Sequence, residues 1–187
     1  MIKILGISGS LRVKSYNSAL LAAAMKLQPE GTQIEAASIR GIPLYDGDVE
    51  ASEGIPAAVE ALKARIVQAD ALLLVTPEYN NSIPGAFKNA IDWLSRPSAD
   101  VKRVFGNRPV AIMGASPGPY GTILSQQAWL GVLRTLGTHP WFGGRLQVSR
   151  AGQLFNENGD LVDDKVSAQL SEFLRGFSAF AAASKRD

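Results

Sequence analysis

The chain has 187 residues, with 19 Lys and Arg against 17 Asp and Glu for a formal charge of +2, and 46% of it is hydrophobic against 19% charged. That balance belongs to an ordered domain with a substantial core, and a surplus of two charges is too small for a nucleic-acid footprint. Cysteine is absent and His139 is the single histidine, which excludes a disulfide scaffold, a thiolate or histidine metal cluster and a thiol nucleophile.

Short apolar runs alternate with helical-period stretches. Residues 2–7 (IKILGI) read as a buried strand, and residues 17–27 as a helix with Leu20, Ala24 and Leu27 on one face. Residues 32–39 alternate as a second strand. Val59, Leu62 and Ile66 repeat at helical spacing after Pro56, which suits a first turn. Residues 71–75 (ALLLV) form the most apolar strand, and Ile83, Phe87, Ile91 and Leu94 make the next helical stripe. A strand at 110–113, a helix at 121–136 and a fifth strand at 141–148 follow. The last helix carries Val166, Leu170, Phe173, Phe177 and Phe180 at core spacing, and His139 reads as structural. The longest connection, residues 40–54, holds Pro43, three glycines and four acidic residues. It reads either as a surface loop or as an arm over a site or toward a neighbouring subunit.

Strand followed by helix, five times, with strands apolar on both faces, predicts an α/β fold whose parallel sheet is covered on both sides. Right-handed crossovers make a three-layer, doubly wound sandwich the economical arrangement, as one domain over residues 1–187. No run approaches the roughly 18–20 uninterrupted apolar residues of a membrane helix. The first ten residues lack the long apolar core and cleavage site of a signal peptide, so the cytoplasm is the expected location.

In such a sheet the ligand crevice lies beyond the carboxyl ends of the strands, where strand order reverses. The loops after the first, third and fourth strands hold the most unusual residues. The first, GSLRVKSYNS from Gly9 to Ser18, sets Ser10, Arg12, Ser15, Asn17 and Ser18 directly before a helix. Helix N-termini offer free N–H groups to anions, and a guanidinium fork suits phosphate oxygens. Capping by Ser15 or Asn17 would engage one side chain, whereas this loop offers five. Val13 stands where the Walker pattern requires glycine, and no GxGxxG follows the first strand. A terminal monophosphate fits best. The second loop, with Pro77, Glu78, Tyr79 and Asn80, is a stiff turn able to read a flat heteroaromatic ring through backbone groups. In the third, Ser116, Gly118 and Gly121 allow close approach to a planar ligand ahead of another helix. No carboxylate pair or nucleophile accompanies Glu78 as a general base.

These motifs are also what the chain shares with a known family. Gly-Ser-Leu-Arg-x-x-Ser-x-Asn after the first strand, the run from Pro77 to Trp93 (PEYNNSIPGAFKNAIDW) and the Ser116-Pro117-Gly118 turn resemble the NADPH-dependent FMN reductase family, particularly its bacterial quinone and chromate reductases. The likeness extends over nearly the whole chain, including Ile42-Pro43-Leu44-Tyr45 and 161–165. It implies a flavodoxin-like fold with sheet order 2-1-3-4-5 and noncovalent FMN, with NADPH or NADH as hydride donor. Ser10, Arg12, Ser15, Asn17 and Ser18 would hold the phosphate. Pro77, Glu78, Tyr79 and Asn80 would line the flavin ring, and Ser116, Gly118 and Gly121 its other edge. Thr122 stands where the family's third turn often has a second glycine. Asp92 and Trp93 match family residues, with helix packing as their physical role, and Lys88 is a candidate to steer the NADPH phosphate. The flavin carries the hydride chemistry, so the protein needs no acid–base pair.

The resemblance implies small-molecule acceptors: quinones, azo and nitro compounds, free flavin or chromate. An FMN electron carrier without its own turnover is the alternative; such carriers usually present an acidic face, and the net charge of +2 speaks against it. The run AWLGVL (residues 128–133) is apolar nearly all round, which asks for burial on a second side. Together with the resemblance this points to a homodimer or homotetramer.

Overall fold

Successive residues of a strand face opposite sides, so a run such as ALLLV needs cover above and below. The computed structural model, which describes residues 1–184, supplies both. β1 (Ile2–Ser8), β2 (Thr32–Ser38), β3 (Ala71–Val75) and β4 (Pro109–Ala115) pair in parallel in the order β2-β1-β3-β4. Ile4, Leu73, Val75 and Met113 point to one face, where α1 (Tyr16–Lys26) and α7 (Asp164–Ser184) bury Leu20, Leu21, Leu170, Phe173 and Phe177 against them. Leu5, Ile7, Leu72, Leu74 and Val110 point to the other. There they meet Val59, Leu62 and Ile66 of α3 (Ala57–Gln68), Phe87, Ile91 and Trp93 of α4 (Gly85–Leu94), and Trp129 and Leu133 of α6 (Ile123–Thr135). Each fully buried side chain of this size contributes about 1.5–3 kcal/mol. The expected three-layer fold and its sheet order are present.

The fifth strand position differs from the expected 141–148. It is divided into β5 (His139–Pro140) and β6 (Leu146–Val148), both parallel to β4. Between them the Trp141 indole lies so close to Gly143, Gly144 and Gly176 that a Cβ on any of these would fall within 2.5–2.8 Å of the ring. The indole packs edge-on against Phe173 at 5.0 Å. The apolar run therefore marks an aromatic anchor rather than a continuous strand. The single histidine lies over Phe180, centroids 4.6 Å apart.

Residues 40–54, expected as irregular chain, contain α2 (Gly47–Glu53), capped by Asp46, which accepts from the Asp48 N–H at 2.9 Å. A further short helix, α5 (Val101–Val104), precedes β4. The 40–54 segment is stapled to α4. The Pro43 carbonyl accepts from Asn89 Nδ2 (2.8 Å) and from the Trp93 indole (3.0 Å), and Asn89 Oδ1 accepts from the Tyr45 N–H at 2.8 Å. The Tyr45 ring packs edge-on against Trp93 at 4.9 Å. Glu50 closes the latch, accepting from Tyr45 Oη at 2.9 Å and from Arg96 Nε at 2.8 Å. The backbone carbonyl of Arg96 is in turn held by Lys63, a lysine with no solvent exposure.

The hydrogen bond from Arg96 holds the Glu50 carboxyl below the ordinary carboxylate range, and the bond to Glu50 raises the Tyr45 phenol. A carboxyl lowered in this way stabilises the fold above its unfolded value and loses that contribution as pH falls through the lowered one. The urea midpoint of the wild type should thus exceed that of Glu50→Gln at neutral pH, with the gap closing in acid. A gap that stays constant from neutral to strongly acid pH would refute the latch.

Candidate functional site

In a parallel sheet the strands all end on the same side, and the register brings three of these ends level. Ser8 of β1 lies beside Val75 of β3, which lies beside Met113 of β4. The loops leaving them stay joined. Gly9 N–H donates to the Val75 carbonyl and Thr76 N–H to that of Met113, both at 2.9 Å. Gly9 and Gly114 permit this closeness. A Cβ on Gly9 would stand 2.1 Å from the Phe87 ring, and one on Gly114 2.2 Å from the Thr76 carbonyl oxygen.

The first loop is locked to the third by Asn17. Its Nδ2 donates to the Ala115 carbonyl at 2.8 Å, and its Oδ1 accepts from the Ala115 N–H at 2.9 Å. Asn17 is buried, so this expected phosphate ligand serves as the clamp that shapes the loop. Ser15 is the N-cap of α1, its Oγ accepting from Ser18 N–H at 3.3 Å, and Ser18 Oγ lies 3.0 Å from Ser8 Oγ. Ser10 and Arg12 remain at the surface of the loop. Ser10 Oγ accepts from the Arg12 N–H at 3.3 Å, and among the described residues the Arg12 guanidinium is paired with no carboxylate. From Gly9 to Ser18 the loop contains no acid at all.

The second loop is a tight turn. Tyr79 and Ser82 exchange backbone hydrogen bonds at 3.1–3.2 Å around Asn80 and Asn81, both in the left-handed region at φ 50° and 61°. Asparagine tolerates that conformation better than most side chains. Pro77 is buried at its base and the Tyr79 ring is exposed at its tip. The Glu78 carboxylate turns to α6, where Oε2 accepts the N–H groups of Leu124 (2.8 Å) and Ser125 (3.0 Å). Thr122 precedes α6 without capping it, so Glu78 takes that part across the cleft. It neutralises the helix terminus that would otherwise attract an anion. Beneath it, Thr76 Oγ1 contacts Ser125 Oγ at 2.9 Å and accepts from the Trp129 indole at 3.1 Å.

The third loop is closed by Ser116 Oγ, which donates to the Gly121 carbonyl at 2.6 Å, and Gly121 adopts φ 64° against the backbone of Gln147. Gly118 accepts from the Arg150 N–H at 2.9 Å, tying the loop to the chain after β6. The twelve expected site residues therefore gather at one end of the sheet, ten on three adjoining loops and Asn17 and Ser18 in the first turn of α1. Lys88 does not serve as a free cation, since its Nζ lies 2.7 Å from Asp92 one turn along α4. Asn89 and Trp93, inside the Pro77–Trp93 run, hold the 40–54 arm, a role that only the tertiary contacts reveal. No group of acidic or histidine side chains among the described residues could hold a metal ion, and no described helix is long and apolar enough to cross a membrane.

The loop donors fit a flavin mononucleotide. An acid-free turn at a helix N-terminus, with a free guanidinium and hydroxyl, suits a phosphate dianion. The stiff turn and the Ser116–Gly121 turn on either side leave backbone groups for the edges of a planar ring.

The chain is similar to known proteins over nearly its whole length. The model of the NADPH-dependent FMN reductase family matches residues 2–153. The chain is 48% identical over 174 residues to an NAD(P)H-dependent FMN reductase of Pseudomonas aeruginosa, covering 93% of this chain and 92% of that protein. It is 35% identical over 185 residues to a quinone reductase of Escherichia coli, covering 96% and 95%. The solved structure of FerB, a flavoenzyme NAD(P)H:(acceptor) oxidoreductase from Paracoccus denitrificans, superposes with a TM-score of 0.87 at 31% identity, covering 98% of this chain and 99% of that one.

Replacing Asn17 with Ala leaves the Ala115 N–H and carbonyl buried without partners, a cost of about 1–3 kcal/mol. The Asn17→Ala midpoint in urea should fall accordingly, whereas Ser10→Ala, on the loop surface, should leave it within about 0.5 kcal/mol. Equal midpoints for the two variants would mean that Asn17 is no clamp.

Proposed function

The chain belongs to the NADPH-dependent FMN reductase family and uses FMN with NAD(P)H as hydride donor, and from this we propose that it reduces quinones and other small acceptors at an open flavin face. FMN, when bound, would supply the hydride-transfer chemistry between NAD(P)H and the acceptor. The observation that carries the reading is the acid-free Gly9–Ser18 loop, with its unpaired Arg12, at the joined ends of β1, β3 and β4. Arg12 and Ser10, with the first-turn N–H groups of α1, bind the phosphate. Asn17, Ser15 and Ser18 hold those donors in place. Pro77, Glu78, Tyr79 and Asn80 orient the ring on one side, and Ser116, Gly118 and Gly121 approach it on the other.

With no catalytic side chain demanded, acceptor choice follows access to the ring, so chromate, azo and nitro compounds and free flavin stand beside quinones as substrates. Donor and acceptor take turns over one exposed face, and the kinetics are ping-pong. Parallel initial-rate lines in a donor-against-quinone survey support this, and intersecting lines contradict it. Removing the Arg12 guanidinium deletes charge-assisted hydrogen bonds of about 1.5–3 kcal/mol, so Arg12→Ala should loosen FMN about 10- to 100-fold by fluorescence titration. Unchanged affinity would remove the phosphate from this loop.

The protein works as a homodimer or homotetramer of one-domain subunits in the cytoplasm. Trp129 and Leu133 of α6 are buried, but on its other side Ile123 and Leu130 remain exposed and Phe142 is 72% exposed. They border a groove of about 310 Å³ along β4 where the fifth strand is broken. An apolar groove of this kind suits a subunit contact. Leu130→Asp should lower the mass seen by light scattering at micromolar concentration, and a monomeric wild type would refute the assembly.

A further inference from the structure

Resting on that reading of the Gly9–Ser18 loop, we propose that Arg40, at the root of the 40–54 arm, is a positioning residue that presents the Arg12 end of the loop to the FMN phosphate. Arg40 Nη2 donates to the Leu11 carbonyl at 2.6 Å. Among the described residues this is the one hydrogen bond from another element that reaches residues 10–14. Apolar packing does not hold this stretch, because Leu11 is 42% and Val13 94% exposed. The order of the loop therefore rests on few contacts, and one of them carries a charge.

The planar peptide explains why that contact matters. The C=O of Leu11 and the N–H of Arg12 share one peptide unit and point in opposite directions. Fixing the carbonyl on Arg40 turns the N–H to the other side, where Ser10 Oγ accepts it. Both Ser10 and Arg12 are thereby oriented together. The Arg40 charge, set against the Leu11 carbonyl, also adds to the positive field of a loop that contains no acid from Gly9 to Ser18. At its own root Arg40 is steadied by its N–H, which donates to Ser38 Oγ at 3.1 Å. The arm that follows is latched to α4 through Pro43, Tyr45 and Glu50. The arm thus joins the phosphate loop to the helix that leaves the Tyr79 turn, so the two ends of one cofactor site are held by the same strap.

The test is the rate of FMN release from diluted holoenzyme, read as recovery of free-flavin fluorescence, with the 31P resonance of bound FMN as a second signal. Arg40→Met should release FMN about tenfold faster and shift the phosphorus resonance, because a hydrogen bond from a charged donor is lost. Arg40→Lys, which keeps the charge and one donor, should restore most of the retention. Arg65→Met serves as control, since Arg65 also donates to a backbone carbonyl, that of Ala36 at 2.9 Å, away from the loop. It should leave release and resonance unchanged. If Arg12→Ala speeds release while Arg40→Met does not, the positioning role falls and the phosphate loop stands. If neither variant changes release, both fall. Equal effects of Arg40→Met and Arg65→Met would reduce Arg40 to general stability and overturn the proposal.

Discussion

Two hydrogen bonds from one buried amide organise the cofactor end of this molecule. Asn17 sits in the first turn of α1, yet both ends of its side chain are taken by the backbone of Ala115, the last residue of β4. Between β1 and β4 stands β3, so the clamp bridges over a strand and sets the height of the first loop above the third. A side chain that can both donate and accept is required, since a carboxylate would leave the Ala115 carbonyl unpaired and an aliphatic both the carbonyl and the N–H. The glycine at 114 belongs to the same device, because the second and third loops can be pinned so closely only where no Cβ intervenes, while Gly9 leaves room for the Phe87 ring of α4.

Once the clamp is in place, the polar residues of the loops divide into two sets. Asn17, Ser15, Glu78, Thr76 and Ser116 satisfy backbone groups and helix termini at the rim. Ser10 and Arg12, with the peptide edges of the Tyr79 turn, stay available. Glu78 illustrates the division. A carboxylate in a cleft invites a catalytic reading, but here it caps α6 and quenches a competing anion site, which leaves α1 as the helix terminus open to a phosphate. Redox chemistry borne by a bound flavin asks the protein for position and access rather than for acids and bases, and the loops are built accordingly.

The arm extends this economy to the far side of the site. Its proline carbonyl and tyrosine are fixed on α4 by Asn89 and Trp93, its glutamate by Arg96 just past the end of that helix, and its first residue reaches the Leu11 carbonyl. A segment rich in glycine and acid thus has a defined path, set by partners 29 to 50 residues away in sequence. The part of the loop with the fewest contacts is the exposed tip at Val13, which is reached from outside only through the Arg40 bond to Leu11 among the described residues.

Periodicity alone determined the layers. Runs such as ALLLV can be satisfied only by cover on both faces, and the helical stripes of Val59-Leu62-Ile66 and Leu170-Phe173-Phe177 supply it. Since parallel strands end together, the motif residues after three of them had to meet. What periodicity could not separate was the use of each polar group. Serine, asparagine and glutamate look alike as ligands and as caps, and which they become depends on whether a backbone N–H lies within about 3 Å. Asn17, Glu78 and Asn89 found such partners only through tertiary contact, and Arg40 found a backbone carbonyl in the same way. The fifth strand shows the same limit, because Trp141 is apolar enough for a strand yet bulky enough to be drawn into a glycine-lined hollow beside α7. Local pattern decides which face a residue seeks, and long-range packing decides what it meets there.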